Sequence, residues 1–302
     1  MARFSTADFT AALTGISGIL VTPFDTNDRI APTRLGPIID RAVSAGVDIL
    51  VSNGNTGEFY SLSLDEALSM VAATAELVAG RVPFVGGAGR SVSEACKLAR
   101  ASAEAGCSAI MLHQTPDPFV APRGFVDYAR RVADAGEGLP VVLYIRNDTI
   151  GAAAFAALSE IPQVVGVKWA SPNPMRLAEA MAAADPRLIW VGGLAEVWAP
   201  TLCAVGAQGF TSGLINVWPE RSVAILAALR AQDYVLARHL IAGMRAFEDV
   251  RAEEMGGANV PGVKVALQLQ GLDCGHARPP AAWPLSDQQT ARIRTVLQMA
   301  GQ

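Results

Sequence analysis

The chain has 302 residues, of which 51% are apolar and 17% charged, enough material for one large barrel or two ordinary domains. A net charge of −4 without any lysine- or arginine-rich block argues against a nucleic-acid partner. A small anionic ligand would have to be held by local groups, because no overall positive field is available.

The first ten residues (MARFSTADFT) contain no apolar signal core, so a cytoplasmic location is expected. From residue 16 onward, short β-branched apolar runs recur, each ended by polar residues or glycine. They occupy residues 16–22 (ISGILVT), 47–52 (VDILVS), 82–87 (VPFVGG), 108–112 (SAIML), 140–145 (PVVLYI), 163–168 (QVVGVK), 188–193 (LIWVGG) and 208–212 (QGFTS). Nearly continuous apolar character suits strands buried on both faces, as in a parallel sheet. Alanine-rich segments with helical spacing lie between them. Residues 64–79 are one, with Ser63 as N-cap and Glu66 three residues later; residues 93–105, ended by Gly106, are another. Strand then helix, repeated eight times, points to an α/β (β/α)8 TIM barrel, although alternation alone also fits a doubly wound open sheet.

Residues 197–219 carry no charge and are long enough to cross a bilayer, but Pro200, Gly206, Gly209, Gly213 and Asn216 interrupt them. They read as a buried helix–turn–strand passage, and no membrane partner is expected. Beyond Asn216 the pattern changes to consecutive helices, at residues 219–231, 233–250, 260–271 and 286–299. The expected division is a barrel core over residues 1–218 and, over residues 219–302, a barrel-closing helix with a C-terminal helical extension. The four cysteines, Cys96, Cys107, Cys203 and Cys274, form no CxxC pair and read as small apolar residues in a reducing compartment.

In a barrel of this kind the chemistry sits at the C-terminal ends of the strands. There the second run leads into Gly54-Asn55-Thr56-Gly57-Glu58. The fourth leads to His113, the fifth contains Tyr144 and leads to Arg146, and the sixth ends in Lys168. The chain has three lysines, Lys97, Lys168 and Lys264, and only Lys168 follows a strand run directly. In an apolar barrel mouth, desolvation disfavours its charged form and leaves some neutral amine. A neutral amine attacks a ketone to give an iminium, an electron sink for cleavage or elimination at neighbouring carbons. A lysine paired with a core carboxylate fits the same position. Tyr144 can move protons for such chemistry, or be a core aromatic. Backbone N–H groups of the 54–58 loop can hold a carboxylate, and the Thr56 hydroxyl can join a proton relay; the loop is equally a tight strand-to-helix turn. Arg146 is a candidate for the distal end of an anionic substrate. His113, His239 and His276 form no metal-binding spacing, Gly86-Gly87-Ala88-Gly89 lacks the dinucleotide-binding spacing, and no GxSxG elbow occurs. No cofactor and no metal are therefore expected.

These residues, in this order, resemble the dihydrodipicolinate synthase / N-acetylneuraminate lyase family of class I Schiff-base aldolases. Residues 54–58 are similar to its G-[TN]-T-G-E motif, Tyr144 to the fifth-strand tyrosine, and Lys168 in Gly166-Val167-Lys168 to the Schiff-base lysine. Residues 206–219 resemble the eighth-strand G-x-x-G…N-x-x-P segment. The resemblance implies a homotetramer of barrels acting on pyruvate or a related 2-keto acid. In it Lys168 forms the iminium, Tyr144 exchanges protons and Thr56 relays them. Asn55 shares the carboxylate-binding loop, and Thr211 contacts substrate.

The departures bear on substrate. In place of Y-N-V-P-x-R-T the chain has Tyr144-Ile145-Arg146-Asn147-Asp148-Thr149, closer to the Y-N-R-D-N of the 5-dehydro-4-deoxyglucarate dehydratases. The stretch from His113 to Pro118 lacks the synthases' P-Y-Y, whose tyrosine is lent to a neighbouring subunit. Gly57-Glu58-Phe59-Tyr60-Ser61-Leu62 also leans to the dehydratase side. The leading expectation is a lyase that dehydrates or cleaves a 2-keto-3-deoxy sugar acid or similar 2-keto acid. The alternatives are a 4-hydroxy-tetrahydrodipicolinate synthase and a non-catalytic keto-acid sensor.

Overall fold

The computed structural model describes residues 4–280 and 282–300. Eight parallel strands form a closed barrel in chain order: β1 (Ile16–Ile19), β2 (Ile49–Ser52), β3 (Phe84–Ala88), β4 (Ala109–His113), β5 (Val141–Ile145), β6 (Val164–Trp169), β7 (Ile189–Gly192) and β8 (Gly209–Ser212). All eight coincide with the apolar runs. Pairing of β1 with β8, Ser17 opposite Thr211, closes the ring and removes the open-sheet alternative.

The helices are α1 (Thr6–Leu13), α2 (Gly36–Ala45), α3 (Leu64–Val78), α4 (Val92–Glu104), α5 (Pro122–Ala135), α6 (Ala152–Ser159), α7 (Pro174–Ala183), α8 (Ala195–Val205), α9 (Pro219–Arg230), α10 (Tyr234–Ala242), α11 (Arg245–Ala252), α12 (Asn259–Leu269) and α13 (Asp287–Ala300). One helix from α2 to α9 follows each strand. Ser63 caps α3 in a capping box with Glu66, as its spacing predicts. α4 starts one residue earlier than its apolar spacing suggests, because Ser91 and Glu94 form the same device. The helix expected over residues 233–250 is two, α10 and α11, broken at Gly243 and Met244. Glycine tolerates such a break, and the two halves pack differently: α10 lies on α8 and α9, whereas α11 lies on α12 and α13. The uncharged stretch 197–219 is shared among α8, β8 and the start of α9. Among the described residues no helix is long and apolar enough to cross a membrane.

Strand side chains alternate, so the barrel has two cores. Leu112, Leu143, Val167, Trp169 and Phe210 pack outward against the helices. Val51, Val85, Met111, Val142 and Val191 fill the interior, joined by Phe9 and Leu13 of α1, a helix the apolar pattern did not reveal. Each such side chain contributes roughly 1.5–3 kcal/mol on burial. Above the interior the loops are tied together by side chains. Buried Asn216 donates to the carbonyls of Ile19 and Gly213, each at 2.8 Å, and accepts from the Val21 N–H, stapling the ends of β1 and β8. Helix α12 and the connection that follows it grip the loop after β2. Lys264 forms a buried ion pair with Glu58 at 2.6 Å and donates to the His276 carbonyl, while the Arg278 N–H donates to the other Glu58 oxygen at 2.7 Å.

Candidate active site

A cavity of about 370 Å³ opens at the C-terminal end of the barrel, and Asn55, Thr56, Tyr144, Arg146, Lys168 and Thr211 all line it. The six residues singled out from the sequence therefore converge, because each follows or ends a strand of the same ring.

Lys168 lies at the end of β6 with 4% of its surface exposed. Its register partner across the strands is Tyr144, and its Nζ stands 3.9 Å from the centre of that ring. Burial, helped by the Arg146 charge, lowers its pKa to about 7, so a sizeable fraction of the amine is neutral near neutrality. No carboxylate pairs with it among the described ion pairs. The lysine that does pair with a core carboxylate is Lys264.

Tyr144 is buried, and burial pushes its phenol up to about 12, keeping it protonated. Its oxygen accepts a hydrogen bond from Asn55 Nδ2 at 2.9 Å. The side chain that reaches the phenol is thus Asn55. The relay expected of Thr56 has no hydrogen-bonded path to Tyr144 among the described residues. An amide does not exchange protons as an acid or base, so the Asn55 contact orients the phenol and leaves its proton free to face the cavity. Behind the ring stands His113, fully buried, stacked on Phe59 with centroids 4.5 Å apart and edge-on to Tyr144 at 5.2 Å. Its Nε2 bonds the Asn53 carbonyl at 2.8 Å, and burial drives its pKa down to about 3. It is a neutral wall supporting Tyr144, not a group lining the cavity.

The loop after β2 turns through Asn53 and Glu58, both with positive φ, and Thr22 Oγ1 pins it by donating to the Gly57 carbonyl at 2.6 Å. The N–H groups of Asn55 and Thr56 donate in none of the described hydrogen bonds, and both residues line the cavity. Such unpaired donors suit an anion. Arg146 is exposed, but its backbone is fixed: Gln114 Oε1 accepts from the N–H groups of Arg146 and Asn147 at 2.9 and 2.7 Å.

Three polar lining residues escaped the sequence reading: Glu248, Arg251 and Asn259, all from the helices beyond the barrel. Arg251 is 7% exposed, donates from Nε and Nη2 to Asn259 Oδ1 at 3.0 and 2.7 Å, and pairs with Glu248. Its guanidinium lies where Gly213 would carry a Cβ: Nη2 is 2.4 Å and Thr56 Oγ1 3.2 Å from that point, which explains a glycine after β8. In the sequence the Glu248–Arg251 spacing looks like any surface i,i+3 pair, so only the docking of α11 distinguishes it. Glu196 was also missed. Fully buried at the start of α8, it accepts from the hydroxyls of Ser212 and Ser222 at 2.5 and 2.6 Å, and burial together with Glu248 raises its pKa.

Fold and site together define a barrel lyase whose buried lysine faces a small polar cavity. Residues 12–300 match the model of the dihydrodipicolinate synthetase family, and the chain belongs to that family. It is 30% identical over 273 residues to a protein of Allorhizobium ampelinum named "Probable 5-dehydro-4-deoxyglucarate dehydratase", covering 88% of this chain and 89% of that one. It is also 30% identical over 302 residues to the 4-hydroxy-tetrahydrodipicolinate synthase of Azoarcus sp., covering 96% and 99% of the two chains. Among solved structures, dihydrodipicolinate synthase from Oceanobacillus iheyensis superposes with a TM-score of 0.92 at 32% identity, covering 98% of this chain and 99% of that one.

Proposed function

We propose that this chain dehydrates a 2-keto-3-deoxy sugar acid through an iminium on Lys168. The observation that carries the reading is the buried amine 3.9 Å from the Tyr144 ring at the edge of the polar cavity. The neutral amine adds to the C2 carbonyl, and the Tyr144 proton goes to the departing hydroxyl, giving water, the iminium and a phenolate. The iminium acidifies C3; the phenolate takes a C3 proton, leaving an enamine. The enamine electrons expel the C4 hydroxyl as water, with the proton returned through Tyr144, and hydrolysis of the conjugated iminium frees Lys168. The substrate carboxylate lies against the Asn55 and Thr56 N–H groups, Thr211 flanks the iminium, and Thr56 contacts the carboxylate through its hydroxyl. Arg146 meets the anionic distal end.

The dehydratase-named relative of Allorhizobium ampelinum and the Arg146 position favour elimination over aldol cleavage. A second reading, condensation of pyruvate with aspartate semialdehyde, draws support from the synthase of Azoarcus sp.. A non-catalytic sensor has no use for a buried amine with a lowered pKa beside a phenol. Incubation with pyruvate and a panel of 2-keto-3-deoxy acids, borohydride reduction and peptide mass analysis should locate an adduct on Lys168. Absence of an adduct with every keto acid refutes the mechanism, and turnover assays on the trapped acids separate dehydratase from synthase. The reading includes a homotetramer in the cytoplasm, which sedimentation and cell fractionation test, and a division at residue 218 between barrel core and helical extension.

A further inference from the structure

The barrel interior beneath Lys168 is closed by a segment that belongs to no β/α unit. α1 precedes β1 and places Phe9 and Leu13 inside the ring, 0% and 3% exposed. On β6, Gly166 lies two residues before Lys168 and so on the same, inward face. A Cβ at Gly166 would lie 2.7 Å from both Leu13 Cδ2 and the Ile189 carbonyl oxygen, so a side chain there would meet α1 on one side and the backbone of β7 on the other. Between α1 and the lysine is a void of about 20 Å³, walled by Phe9, Leu13, Met111, Val142, Thr211 and Lys168 among others. Ser17 borders it as well, but the surface it presents is almost wholly apolar, and so small a void with such a surface disfavours water.

We propose that α1 is a stopper that closes the barrel floor, shields the Lys168 amine from water on its inner side and thereby holds it ready to attack. The proposal rests on Lys168 being the nucleophile. Groups facing the amine from elsewhere are Tyr144 and Arg146 from the β5 end and His113 from β4, with Glu248 and Arg251 lining the same cavity. The acid of α1, Asp8, is exposed and bonded to Ser5, so α1 acts by excluding water and not by charge. Phe9 and Leu13 are positioning residues that never touch substrate.

The test compares Leu13→Asn, Leu13→Ala and Phe9→Ala with Ile225→Ala, a truncation in the outer core. Competitive acetylation across pH, followed by peptide mass analysis with Lys97 as internal reference, reads the amine without any keto acid. Borohydride trapping with pyruvate reads its attack. In the α1 variants that fold, both midpoints should rise by about one pH unit, cutting trapping at pH 7 by about fivefold while rates converge near pH 10. Ile225→Ala should leave both midpoints in place. Unmoved midpoints in the folded α1 variants, or an equal shift in Ile225→Ala, overturn the proposal. An enzyme that labels at Lys168 but traps no keto acid defeats the functional reading instead, and the acetylation midpoints still decide the role of α1.

Discussion

Lys168 and Lys264 are both buried, and both lie over an aromatic ring, Tyr144 at 3.9 Å and Phe24 at 4.2 Å. Burial lowers the pKa of each, but the Glu58 carboxylate, 2.6 Å from Lys264, opposes the shift, whereas the charge near Lys168 is Arg146, which adds to it. One lysine is a structural tie and the other a reagent, and the difference lies in the sign of the nearest charge. Burial alone therefore does not mark a nucleophile; burial without a counter-ion does.

Exchanging the two lysines' fates is the strongest way to break the contrast. Lys168→Met should abolish the keto-acid adduct and cut kcat by 10⁴-fold or more, on the order of 5–6 kcal/mol of barrier, as read by steady-state kinetics and mass analysis. Lys264→Met should leave adduct formation on the folded fraction intact but strand Glu58 as a buried, unpaired charge. A loss of about 3–5 kcal/mol in urea unfolding is expected, largely recovered when Glu58→Gln is added. Tyr144→Phe keeps the ring under the Lys168 amine and removes the proton, so turnover should fall by about 10²–10³-fold with stability little changed.

A smaller effect follows from linkage. Lys168 is more readily deprotonated when folded, so between about pH 7 and its unfolded value near 10.5 the unfolded chain binds more protons and stability rises with pH. Lys168→Met should therefore stabilise the fold at and below pH 7, by about 2–4 kcal/mol, with the gain shrinking as pH approaches 10; a gain that grew with pH would contradict the low pKa. The smallest effect should come from exposed Arg146: Arg146→Ala raises KM for keto acids with an anionic distal end by about tenfold, roughly 1.4 kcal/mol, and lowers pyruvate trapping near pH 7 only slightly, through loss of its charge near Lys168.

The barrel was legible because strands buried on both faces appear as uninterrupted apolar runs, and all eight fell where those runs lie. The six lining residues were legible for a related reason: strand order fixes their positions around one rim. Arg251, Glu248 and Asn259 were not, since a helix that follows the barrel can turn any face inward and only docking decides which. α1 escaped notice because it offers only Phe9 and Leu13 to the interior across eight residues rich in alanine and threonine. From the sequence the relay was expected of Thr56, whereas the side chain facing Tyr144 is Asn55, because adjacent residues in a tight loop point in different directions and no periodicity governs them.

The grip on Glu58 has a consequence for how the molecule is made. Arg278 reaches that carboxylate across 220 residues of chain, long after every barrel strand has left the ribosome. The nascent ring can close on its own strands while the turn carrying Asn55 and Thr56 still lacks its anchor. Catalytic competence should then trail barrel closure during synthesis, which places loop ordering among the last events of biogenesis.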